Sequence, residues 1–190
     1  LALRHRTPEA WKHVALGDVG AFLQDHAANE RKVSGSAMWL AVHFPERHEL
    51  VDAMVELARE ELEHFALVYA LLRERGLGLG ADLADAYMGR MHGLLRKRDT
   101  NTHLLDRLLT SALVEARGCE RFRLLGEALP DGPLREFYVG LVGTEARHHA
   151  LFLRLGRLYF APAEVEVRLD ELLDAEAVIA RSLPLRPALH

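Results

Sequence analysis

Two Glu-x-x-His pairs, Glu61 with His64 and Glu145 with His148, are the residues of this 190-residue chain best suited to chemistry. Helix positions three apart share a face, so each pair sets a carboxylate and an imidazole side by side. Each pair also follows another glutamate at a similar interval: Glu30 lies 31 residues before Glu61, and Glu115 lies 30 before Glu145. Four carboxylates and two neutral imidazoles make six ligand groups with four negative charges, which matches two Fe(II) ions. An oxygen-rich set with a little nitrogen suits iron or manganese better than a structural zinc. A single Glu-x-x-His would carry no weight in a chain with 18 glutamates and 11 histidines. Two pairs with matching upstream glutamates do.

The elements that must carry these residues read as helices throughout, with no alternation of the strand type. Thr7-Pro8-Glu9 has the form of an N-cap followed by proline at the first helical position. Long helices are expected over 18–43, 46–75, 99–130 and 131–160, with a shorter one over 82–98 and a last one from 162. Spacings of four and three define an apolar seam on each long helix. The first seam runs Val19, Leu23, His26, Glu30, Val33, Ala37, Leu40, and the second Leu50, Met54, Leu57, Glu61, His64, Val68, Leu71. The third runs Leu104, Leu108, Ser111, Glu115, Gly118, Phe122, Leu125, and the fourth Leu134, Tyr138, Leu141, Glu145, His148, Phe152, Leu155. Every seam is apolar at its ends and acidic in its middle. A lone carboxylate there costs several kcal/mol unless it protonates or meets a cation, and four at one depth would repel one another. Two divalent metals resolve both difficulties. The expected architecture is an all-α, antiparallel four-helix bundle in one domain, 1–190, built from two similar hairpins joined by a long crossover.

Other seam and near-seam residues carry less. His26, one turn before Glu30, reads as a core histidine ahead of a partner to the metal ligands. Tyr138 reads as a packed core tyrosine rather than a redox group. Arg147 is balanced between a surface position and an ion pair with a neighbouring helix. Glu60, Glu63, Glu120 and His149 lie off the seams and are expected to take no part. No catalytic residue is expected beyond the six ligands.

Composition narrows the function classes. Hydrophobic residues at 49% and charged residues at 27% are ordinary for a globular protein. No apolar run reaches the roughly 18 residues of a membrane span, and the first residues are charged rather than signal-like. The one cysteine, Cys119, excludes a disulfide framework and paired-cysteine metal knuckles, and suits a cytoplasmic compartment. A net charge of −4 does not mark a nucleic-acid binder as a whole, so any such role needs a local basic patch.

The ligand pattern is that of ferritin-like di-iron carboxylate bundles. Within that class, the segment Leu113-Val114-Glu115-Ala116-Arg117-Gly118-Cys119-Glu120-Arg121-Phe122 resembles the third-helix motif of the bacterial tRNA hydroxylases that act on 2-methylthio-N6-isopentenyladenosine beside the anticodon. Length, helix order, crossover and both Glu-x-x-His pairs extend the resemblance over nearly the whole chain. It implies metal ligands at Glu30, Glu61, His64, Glu115, Glu145 and His148. It also implies a carboxylate-bridged pair of Fe ions, O2 as co-substrate, and hydroxylation of the isopentenyl group in tRNA. With no flavin or Fe–S motif in the chain, a ferredoxin-type electron donor is implied, and a monomer or small oligomer is expected. The cations Arg90, Arg96, Lys97 and Arg98, in a stretch without acids, are candidates for tRNA phosphates; so are Arg181 and Arg186. Cations at 96–98 would equally suit a helix C-terminus. The competing readings are another ferritin-like oxidase, an iron-storage or detoxification protein, and a metal-free helical interaction protein.

Overall fold

The computed structural model describes residues 2–190, and the described elements are seven α-helices. They are α1 (Ala10–Gly17), α2 (Val19–His43), α3 (His48–Glu74), α4 (Ala86–Gly93), α5 (Thr100–Ala128), α6 (Pro133–Tyr159) and α7 (Pro162–Ser182). The ends follow local chemistry. Asp18 caps α2 by accepting from the Ala21 N–H, Asp85 caps α4 through Met88, and Asp99 caps α5 through Thr102. Phe44 precedes a proline and leaves helical geometry, which stops α2. Gly76, at φ +69, closes α3 in a Schellman turn, with the Leu77 N–H reaching the Leu72 carbonyl.

The chain forms two compact units. One comprises Val14–Leu83 with Arg186–Leu189 and is built on the hairpin of α2 and α3. Its interior buries Phe22, Leu23, Leu40, Leu50, Met54, Leu57, Val68 and Leu72, the last in place of Leu71, which the seam predicts but which is half-buried. Each buried side chain contributes roughly 1.5–3 kcal/mol of transfer free energy. The Ser34 hydroxyl donates to the Ala58 carbonyl and ties the two helices at mid-height. After α3 the chain returns across α2, where Gln24 donates to the Gly78 carbonyl and Asp82 pairs with Arg31 and Lys32. Gly80 lies so close to Gln24 that a Cβ there would stand 3.1 Å from its side chain.

The other unit contains the chain up to His13, Ala84–Leu185 and His190. Here α5 and α6 form the hairpin, with α7 against both and α4 against α7. Its interior includes Leu104, Leu108, Phe122, Leu125, Tyr138, Leu141, Phe152, Leu155, Leu169 and Leu172. Two ion networks support it. Buried Arg117 donates to Glu176 and Glu120 and to the His5 carbonyl, while Tyr87 donates to Glu176. Asp106, fully buried on α5, accepts from Arg96 and Arg168.

Two expectations are corrected. The helix expected over 82–98 is confined to Ala86–Gly93, because Asp85 caps it late and the Arg96 backbone N–H donates to Asp106 rather than along a helix. Thr7 is not mainly an N-cap: its hydroxyl donates to Glu120 and accepts from Arg117.

Candidate metal centre

In the α2–α3 hairpin, Glu30 projects from α2, and Glu61 and His64 from one face of α3, with the three 4%, 1% and 9% exposed. Each offers a ligand atom within 4.8 Å of the others. His64 Nδ1 stands 3.3 Å from Glu61 Oε2 and 3.7 Å from Glu30 Oε2. The other Glu30 oxygen accepts a hydrogen bond from His26 Nε2 at 2.5 Å. The electrostatics are those of an acid cluster seeking a cation. Burial favours the neutral forms, yet hydrogen bonding and charge from the two glutamates raise His64 to about 10. Burial opposes ionisation of Glu30 as well, but Glu61, His26 and His64 together lower its carboxyl. A divalent metal answers the same charge excess, and it takes a neutral imidazole and ionised carboxylates as ligands.

The α5–α6 hairpin repeats the arrangement. Glu115 comes from α5, Glu145 and His148 from α6, all buried, with a ligand atom from each within 4.8 Å of the others. His148 Nδ1 lies 3.6 Å from Glu145 Oε2. Cys119 lies one turn after Glu115. Burial and then the charge of Glu145 raise its thiol, whose Sγ donates to the Val142 carbonyl. Each hairpin thus presents two carboxylates and one imidazole in an apolar interior, and each triad is able to bind metal.

The other sequence candidates fall into place around these triads. Tyr138 is a core tyrosine packed on Phe122 and Phe137. Arg147 is exposed, with its guanidinium directed to the Thr144 hydroxyl. Glu63 is exposed, Glu60 and His149 are half-buried, and Glu120 is committed to Arg117 and Thr7. Of the six basic candidates, Arg181 is exposed and Arg186 half-buried, Arg96 spends its guanidinium on Asp106, and Arg90 donates to the Ser182 hydroxyl. Lys97 and Arg98 are exposed. Sequence reasoning missed the buried pair of Arg117 and Glu176, 59 residues apart. Its only trace is that Glu176 stands among Leu172, Leu173 and Ile179 on a face otherwise apolar. The direct bond from His26 to a ligand carboxylate had a clearer signal, the i, i+4 spacing to Glu30.

Comparison with known proteins agrees with this geometry. The family model described as tRNA-(MS[2]IO[6]A)-hydroxylase (MiaE) matches residues 1–190. A tRNA 2-(methylsulfanyl)-N(6)-isopentenyladenosine(37) hydroxylase of Pseudomonas putida (strain KT2440) is 35% identical over 176 residues, 93% of this chain and 85% of the relative. The protein of the same name from Salmonella typhimurium (strain LT2) is 36% identical over 133 residues, 70% of this chain and 48% of the relative. Among solved structures, a Synechococcus protein described as having aldehyde deformylating oxygenase activity superposes with a TM-score of 0.92 at 35% identity, covering 97% of this chain and 92% of its own. That neighbour has the ferritin-like fold, and the all-α architecture expected from the seams is the one found. With the match spanning every residue, this chain belongs to the tRNA-(MS[2]IO[6]A)-hydroxylase family.

Proposed function

We propose that the protein hydroxylates the isopentenyl group of 2-methylthio-N6-isopentenyladenosine in tRNA, using O2 and a carboxylate-bridged pair of Fe ions. The observation that carries this reading is the pair of buried Glu/Glu/His triads in a chain whose full length matches one hydroxylase family. Glu30, Glu61, His64, Glu115, Glu145 and His148 together would hold the two metals, in one ferritin-like domain. When bound, the metals supply the redox capacity to split O2. The overall reaction is R–H + O2 + two electrons + two protons giving R–OH + H2O. The electrons must come from outside, for which a ferredoxin-type donor is the matching class.

The chain's own residues do the rest. The apolar residues beside the triads, Phe122 and Phe152 among them, would keep water from the reacting centre. The modified base must leave its stack to reach buried metals, at a cost of a few kcal/mol. Lys97 and Arg98, with Arg90 earlier in the same acid-free stretch, are suited to tRNA phosphates as salt-sensitive contacts.

The test is nucleoside analysis of tRNA from a host strain that makes the substrate nucleoside, with and without this protein. The hydroxylated nucleoside should appear only with it, and should vanish in the Glu115→Ala variant. An unchanged nucleoside profile would refute the reading. Iron storage, the rival use of a ferritin-like fold, requires a large hollow shell, so a monomeric or small-oligomer mass in solution would count against it.

A further inference from the structure

Helix α3 is apolar on two faces rather than one. Its core seam runs Leu50, Met54, Leu57, Glu61, His64 and Val68, all buried. One residue further round, Val51, Val55, Ala58, Leu62, Phe65 and Tyr69 repeat the alternation of four and three, the spacing by which one helix packs along another. Ala58 is buried, and its carbonyl accepts from Ser34 on α2. The outward members stay open to solvent: Val55 is 42%, Leu62 55% and Tyr69 37% exposed. They stand one above another every seven residues, and the Phe65 and Tyr69 rings lie parallel with centroids 6.2 Å apart. Exposed apolar side chains scattered singly are ordinary, whereas an aligned row marks a contact surface. In the other unit, α7 lies against both helices of the α5–α6 hairpin. After α3 the chain returns across α2 instead.

The charges beside the row identify what fits it. Asp52, Arg59, Glu63 and Arg73 follow its solvent side and are all exposed. Their signs run negative, positive, negative, positive, and the same series read backwards is its own complement. A second α3 laid antiparallel therefore sets Asp52 against the partner's Arg73, and Arg59 against the partner's Glu63. A parallel copy would set each charge against itself. Arg59 also holds Glu56 one turn back at 2.9 Å, and a guanidinium has donors to spare. Both charge pairs, and the pairing of Val55 with Tyr69, are centred within about one residue of Leu62, as a two-fold contact requires.

We propose that α3 is a self-association surface, along which two copies of this chain pair antiparallel about a two-fold axis at Leu62. The apolar row supplies the attraction, and the flanking charges select the direction. One helix pair is a small interface, so the dimer is a weak one. Glu61 and His64 lie on the core face, and the proposal stands whether or not the hydroxylase reading does.

The test is the mass of the full-length chain in solution, by sedimentation over the micromolar range at low salt. The unmodified chain should pass from one copy to two as its concentration rises. Leu62→Glu sets two carboxylates across the axis and should weaken pairing by about tenfold or more. Each substitution counts twice across a two-fold axis, so Asp52→Arg alone and Arg73→Asp alone should each weaken pairing as well. Combined in one chain they restore opposite charges across the antiparallel contact, and most of the loss should be recovered.

A single-copy mass for the unmodified chain at every concentration would overturn the proposal. So would unchanged pairing by a folded Leu62→Glu. Whether or not that variant folds, a double charge variant no stronger than either single one would overturn the antiparallel arrangement.

Discussion

A glutamate buried at the middle of an apolar seam has few stable fates, and Glu115 and Glu145 share theirs with His148 within one hairpin. Removing one ligand both deletes a metal contact and leaves the remaining carboxylate short of a cation. Glu115→Ala and His148→Ala are therefore expected to lower bound metal and hydroxylation together, each by at least tenfold in metal affinity. Metal content by elemental analysis beside nucleoside formation on the same preparations checks this. Full activity in either variant would refute the ligand assignment. These residues were legible in the sequence because charge in an apolar stripe is costly, and that cost points to a cation. His26 was less legible. A histidine on a seam fits a packed core as readily as a metal site, and only the 2.5 Å contact to Glu30 separates the two.

At the scale of elements, the turn from α4 into α5 is held by charge rather than by helix. Asp106 is fully buried and receives the Arg96 backbone N–H and guanidinium, with Arg168 on its other side also donating to the Leu94 carbonyl. Burial works against the Asp106 carboxylate, but the two arginines outweigh it and hold its carboxyl below the usual range. Asp106→Asn leaves two cations around a neutral group. Because Arg96 is one-third exposed and Arg168 somewhat exposed, the loss should fall near the low end of the range for broken buried pairs, about 3 kcal/mol. The pH dependence has a definite sign. A lowered folded-state pKa adds stability above the unfolded value of 3.8 that is lost as pH falls through the folded one. Denaturant unfolding should therefore show the Asn variant losing less stability than the unmodified chain between pH 5 and the acid limit. Equal acid sensitivity would show that this carboxylate is not the one responsible. Nothing in the periodicity marks this clamp, since Arg168 lies 62 residues from Asp106. That is why the short helix reads too long in the sequence, and why Arg96 reads as a free cation. With Arg96 committed, Lys97 and Arg98 are the exposed charges that the clamp presents.

Over the whole molecule, the all-α class and the two hairpins follow from seams that alternate spacings of four and three, and from caps at Asp18 and Asp99. The buried network of Arg117, Glu176 and Tyr87 was hidden because it joins α4, α5 and α7 across long sequence distances. No helix among the described residues is long and apolar enough to cross a membrane. The acid triads make folding and metal binding one equilibrium: a metal that binds the folded chain and not the unfolded one stabilises it by mass action. At free metal a hundredfold above Kd, the gain is about 2.7 kcal/mol. For a chain of this length each kcal/mol moves Tm by about 2–4 °C, so metal removal should lower Tm by about 5–10 °C. Calorimetry on the chelated and reloaded chain measures this, with Glu115→Ala, which impairs one of the two triads, as the control in which the shift should shrink. Equal melting of loaded and metal-free chain, at saturating metal, would mean that the triads are satisfied without it, and the metal-free reading of the bundle would then stand.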